Sequence, residues 1–67
     1  MDFSPKNLIK ILESKGYYLK RITGSHHIYY NEQSKKMVPI PKHANKDIAK
    51  GTFFTILKQA GIDKNEI

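Results

Sequence analysis

A 67-residue chain with no cysteine must hold its fold by packing alone, or by packing plus a partner, because neither a disulfide nor a thiolate-bound metal can staple it. A chain of this size buries only about 60% of its unfolded surface. The core is therefore thin, and residues 1–67 read as a single domain. The missing thiol also removes cysteine chemistry from the catalytic options. No apolar run exceeds a few residues, so nothing is long enough to span a membrane and no membrane partner is expected. Residues 1–10 carry no apolar run of signal-peptide length, which predicts a cytoplasmic protein.

Charge narrows the partner. Lys and Arg number 12 against 6 Asp and Glu, a net charge of +6. All but Arg21 are lysines, spread from Lys6 to Lys64. A disordered basic arm would concentrate its charge and lack apolar periodicity; here apolar residues recur throughout. This balance points to an anionic partner, nucleic acid ahead of membrane. The competing account is that lysine keeps a small domain soluble.

Ser4 followed by Pro5 reads as a helix start, a hydroxyl cap before proline at the first helical position. Leu8, Ile9, Ile11 and Leu12 then build one apolar face, and Gly16 ends a helix over about residues 5–15. Residues 17–22 are rich in strand formers, although large residues of both parities leave their buried face open. A turn at Gly24 leads into a second strand over 26–30, forming a hairpin. A polar turn at 31–36 precedes a third strand at 37–40, with Val38 and Ile40 on one face. Pro39 inside it predicts an edge strand. Residues 41–50 read as a polar connection with room for a short helical turn. A second helix opens at Thr52, buries Phe53, Ile56, Leu57 and Ala60, and closes at Gly61 with Ile62 folding back in a Schellman ending. The remainder, 63–67, is expected to fray. The economical packing is α+β: a three-stranded antiparallel sheet with both helices on one face, the plan of a double-stranded-RNA-binding fold.

Among candidate chemical groups, Gly24-Ser25-His26-His27 is the most informative. Strand alternation puts His26, Ile28 and Tyr30 on one face and His27 and Tyr29 on the other, so one histidine faces the core and one the surface. His27 fits a core-edge position near Tyr29. Three histidines invite a metal reading with Asp47, but His26 and His27 diverge, His43 lies in a loop, and no His-x-x-x-His sits on a helix; no metal or other cofactor is expected. Lys42, Lys46 and Lys50 recur every four residues, a cationic ridge for phosphates if the segment is helical and a solvated loop face if it is not. Tyr17, Tyr18, Tyr29 and Tyr30 offer stacking surfaces, at least two of them needed for the core. Ser25 lacks the acid partner and nucleophile elbow of acyl chemistry.

Taken together, Gly24-Ser25-His26-His27, Val38-Pro39-Ile40-Pro41-Lys42-His43, Lys50-Gly51-Thr52 and Ile56-Leu57-Lys58-Gln59-Ala60-Gly61 resemble the HicA toxins of HicA–HicB toxin–antitoxin systems, over about residues 4–62. The resemblance implies an α-β-β-β-α domain of double-stranded-RNA-binding type. It further implies an mRNA interferase: an endoribonuclease that cuts mRNA and is neutralised by a HicB-like antitoxin. It makes His26 the catalytic histidine, with Gly24 and Ser25 positioning it. Two departures stand out. Phe54 occupies a position often basic in the family, which removes a cation and makes Phe54 a candidate partner contact. The turn at 31–36 lacks the frequent Asp-Gly.

One histidine can suffice because RNA carries its own nucleophile, the 2′-hydroxyl, and an imidazole of ordinary pKa near 6.5 can exchange protons at neutral pH. A lysine, Lys42 or Lys46, would serve as electrostatic helper. The alternative is a non-catalytic RNA-binding module of the same fold. A third reading is a protein-interaction domain that docks through Phe54 and the open sheet face.

Overall fold

Ser4 caps the first helix as its sequence predicts: its hydroxyl accepts the Asn7 N–H at 3.1 Å, and Pro5 follows at the first helical position. The computed structural model describes residues 2–42 and 46–67. Helix α1 (Pro5–Ser14) buries Leu8 and Leu12 completely, and Ile9 and Ile11 flank them half-buried. It ends where Tyr17 N–H bonds the Leu12 carbonyl and Gly16 N–H bonds that of Glu13, the paired bonds of a Schellman motif.

Strands β1 (Tyr18–Thr23), β2 (His26–Asn31) and β3 (Lys36–Pro41) form one antiparallel sheet in the order β1-β2-β3. Tyr29, Val38 and Ile40 share one sheet face and meet Leu8 and Leu12 from α1 and Phe53, Ile56 and Leu57 from α2 (Lys50–Gln59) in a single buried cluster. Both helices therefore cover the same face, and the expected α-β-β-β-α architecture holds. Two of the four tyrosines, Tyr17 and Tyr29, belong to this core, and the Tyr17 hydroxyl donates to the Ala60 carbonyl at 2.8 Å.

Features at both sheet edges disfavour pairing with further strands. The Lys42 N–H bonds the Ser25 carbonyl at 2.8 Å, which fixes the alternation along β3 so that positions 39 and 41 face outward. Both are prolines, so that edge has lost two donors. On the other side, β1 is exposed throughout and carries a bulge between Leu19 and Arg21.

The second helix differs from its expected start. It begins at Lys50 with Ala49 in the cap position and no side-chain cap, and Thr52 lies inside its first turn. Packing fixes this end: Ile48 is buried and its N–H bonds the Phe3 carbonyl at 2.8 Å. At the far end Gly61, at φ 75°, allows the Ile62 N–H to reach the Leu57 carbonyl, and Ile62 is buried as the Schellman contact. Residues 46–49 are not helical; His43, with residues 44 and 45, lies outside the described residues. The C-terminal residues are not frayed but form a 3-10 turn over Lys64–Glu66. There Asp63 and Glu66 cap each other, and Lys15 pairs with Glu66 at 3.3 Å.

Candidate active site

Gly24 and Ser25 form a two-residue loop between the paired Thr23 and His26. Only Gly24, at φ 59°, sits in the left-handed region there, the pattern of a type II′ hairpin turn, whose twist matches that of the strands. His26 is therefore the first residue of β2, fixed on its inner side by Thr23 and on its outer side by Pro41. Its side chain is exposed, whereas that of His27 is half-buried on the helix-covered face beside Ile40. His27 Nδ1 is buried without a hydrogen-bond partner among the described residues. The two histidines thus divide as alternation requires.

The register arranges the open face in rows: Tyr18, Tyr30 and Met37; then Arg21, Ile28 and Pro39; then Thr23, His26 and Pro41. Arg21 has no place in the sequence-based site. Without the bulge, alternation from Tyr18 would send it to the helix side. The bulge absorbs Lys20 and returns Arg21 to the His26 face. No local sequence signal marks that irregularity, so alternation alone puts Arg21 on the wrong face.

A groove of about 560 Å³ runs from His26 over the β3 edge, past Pro39 and Pro41, to Gly51, Thr52, Thr55 and Gln59 on α2. The first turn of α2 carries no acidic residue and no side-chain cap, so its free N–H groups and the positive end of the helix dipole favour an anion. The Lys42 backbone lies beside Ser25, but its side chain lines a separate groove along α1 with Lys6, Lys10 and Glu13. Lys50 opens α2 next to the His26 groove, and Lys46 is exposed on the non-helical segment. The four-residue spacing of these lysines is therefore not a ridge on one helix. Phe54 is half-buried, edge-on to Phe3 at 5.9 Å and to Phe53 at 5.6 Å, so its ring tethers the N-terminal segment to α2.

Among the described residues no three of His, Asp and Glu gather in a way that could hold a metal ion, and no helix is long and apolar enough to cross a membrane. A comparison with curated proteins gives no match. The family model described as "HicA toxin of bacterial toxin-antitoxin" matches residues 5–62.

Proposed function

The chain belongs to the HicA toxin family, and from that premise we propose that it is an RNA-cleaving toxin, an mRNA interferase with His26 as its acid–base group. The observation that carries this reading is the groove joining an exposed, backbone-fixed His26 to the uncapped first turn of α2. A phosphate seated at that helix end is held by N–H groups and the dipole, next to an imidazole that can accept or donate a proton.

In this scheme the 2′-hydroxyl of RNA attacks the adjacent phosphorus. His26 takes the hydroxyl proton, and an acid returns one to the departing 5′-oxygen, leaving a 2′,3′-cyclic phosphate and a 5′-hydroxyl. Positioned acid–base help of this kind contributes roughly 10²–10⁴-fold. Gly24 and Ser25 hold His26 in place. Of Lys42, Lys46 and Lys50, the last is best situated to neutralise developing phosphate charge, since it precedes the groove residues Gly51 and Thr52. A HicB-like antitoxin presenting acidic side chains would neutralise the toxin by covering His26 and these cations. Phe54, at the rim of α2, is its candidate apolar contact.

The test compares wild type with His26→Ala, both checked for folding by circular dichroism. Wild type is expected to cut RNA and arrest bacterial growth. The variant should do neither and still bind RNA. Because this chemistry acts through the 2′-hydroxyl, cleavage should survive a chelator and spare an all-2′-deoxy substrate. Comparable cutting of that substrate, or by the variant, would refute the mechanism. The exposed tyrosines and cations of the sheet favour one second reading, a binding module without catalysis, for which even wild type would leave RNA intact.

A further inference from the structure

The face of the sheet opposite the helices has no covering element among the described residues, and its composition is unusual for a surface that meets only water. Tyr18 is 42% exposed and Met37 46%, with Ile28 and Tyr30 half-buried between them. The Tyr18 and Tyr30 rings meet edge to face, centroids 6.0 Å apart. The Lys20 ammonium stands over one face of the Tyr30 ring, 4.3 Å from its centroid, a cation–π contact. None of the three strands contains an acidic residue; the nearest carboxylate, Glu32, sits in the turn and accepts the Tyr18 hydroxyl at 3.2 Å. Arg21 lies one row from His26, on the diagonal across β1 and β2, where residues of neighbouring strands are about 7–8 Å apart. Tyr30 lies four residues along β2 from His26, about 13 Å at the usual strand rise.

We propose that this face is the track for single-stranded RNA, with Tyr18 and Tyr30 stacking bases and Arg21 clamping the backbone phosphate next to the one cut. The proposal rests on the RNA-cleaving reading of His26 and adds where the substrate lies. Stacking on aromatic rings of a sheet requires unpaired bases, which a duplex does not offer. An incoming base displaces the Lys20 ammonium from Tyr30, and the flexible lysine turns to the phosphate that follows. The planar Arg21 guanidinium suits phosphate through paired N–H donors. A protein strand is the less fitting occupant, because the prolines of β3 and the bulge of β1 obstruct edge-to-edge pairing.

The experiment titrates the full wild-type chain with a short single-stranded RNA bearing 2′-O-methyl groups, which removes the attacking hydroxyl and leaves binding to be measured alone. The chain contains no tryptophan and 4 tyrosines, so tyrosine emission reports stacking directly. The expected result is quenching on binding, weaker competition by the same sequence as a duplex, and an affinity loss of roughly 10–100-fold in Tyr18→Ala combined with Arg21→Gln. Tyr18→Phe combined with Arg21→Gln, which keeps the ring, should lose less affinity than the alanine pair. If the alanine variant loses its circular dichroism signature, Tyr18→Leu with Arg21→Gln carries the same test. Unchanged affinity in the folded double variant, preference for duplex, or loss of affinity for an acidic protein partner alone would overturn the track. Cutting of unmodified RNA is scored separately. A track that binds without cutting sinks only the His26 reading, cutting that ignores the double variant sinks only the track, and no RNA binding at low salt sinks both.

Discussion

His26 and His27 are adjacent in the chain and opposite in every physical respect. His26 stands in solvent at the mouth of a groove, so replacing it should leave stability nearly unchanged and remove activity. His27 is packed beside Ile40 with a buried ring nitrogen that has no partner among the described residues. His27→Ala removes that apolar contact and leaves a small void, for an expected loss of about 1–2 kcal/mol. Denaturant unfolding would show the loss, while RNA cutting per folded molecule should persist. A variant as stable as wild type but inactive would mean that His27, too, takes part in the chemistry. The pairing of roles was legible in the sequence because strand alternation is strict over so short a segment. Which histidine faced outward was not, since it depends on which sheet face the helices cover.

At the level of elements, the turn between β2 and β3 shows a local conflict solved by one side chain. Asn31 is buried; its Oδ1 accepts the Gln33 and Ser34 N–H groups, and its Nδ2 donates to the Lys15 carbonyl at the end of α1. The turn then requires a left-handed residue, and Lys35 takes that conformation at φ 60°. A non-glycine residue there costs roughly 1–2 kcal/mol, partly offset in glycine by the greater freedom of the unfolded chain. Lys35→Gly is therefore expected to raise stability by about 0.5–1 kcal/mol, seen as a higher denaturant midpoint at unchanged slope. A lower midpoint would show that Lys35 makes compensating contacts in solution. Helix ends were the most legible elements, because Ser4-Pro5 and Gly61-Ile62 act through their immediate neighbours. The start of α2 departs from its local signal at Thr52 because Ile48 and Phe3, distant in sequence, anchor it. Phe54 reads from the sequence as a candidate partner contact, and in the fold its ring also packs against that of Phe3.

At the scale of the whole molecule, a thin core makes each buried polar ring matter. Burial, with Glu13 nearby as a smaller cause, raises the Tyr29 phenol above its ordinary value. The folded state then holds the phenolic proton more tightly than the unfolded chain does. This contribution is fully present below the unfolded value of about 10 and is lost as pH rises above it. Stability should accordingly fall on moving from pH ~9 to ~11, and less steeply in Tyr29→Phe. Equal slopes for the two proteins in urea unfolding would place the alkaline sensitivity elsewhere.

What the sequence determined by itself was whatever acts over a few residues or by counting. The absence of disulfide staples, the order helix, three strands, helix, the edge position of the proline-bearing strand, and the division of the two histidines all follow from caps, periodicity and composition. What only the tertiary structure decided was which residues of different elements share a face. The β1 bulge turns Arg21 toward His26, the β3 edge carries the groove across to the first turn of α2, and Lys42 is drawn away along α1. The reason is physical: alternation and capping are local properties of the backbone, whereas register and layer order are set by burying one common core, to which every element contributes at once.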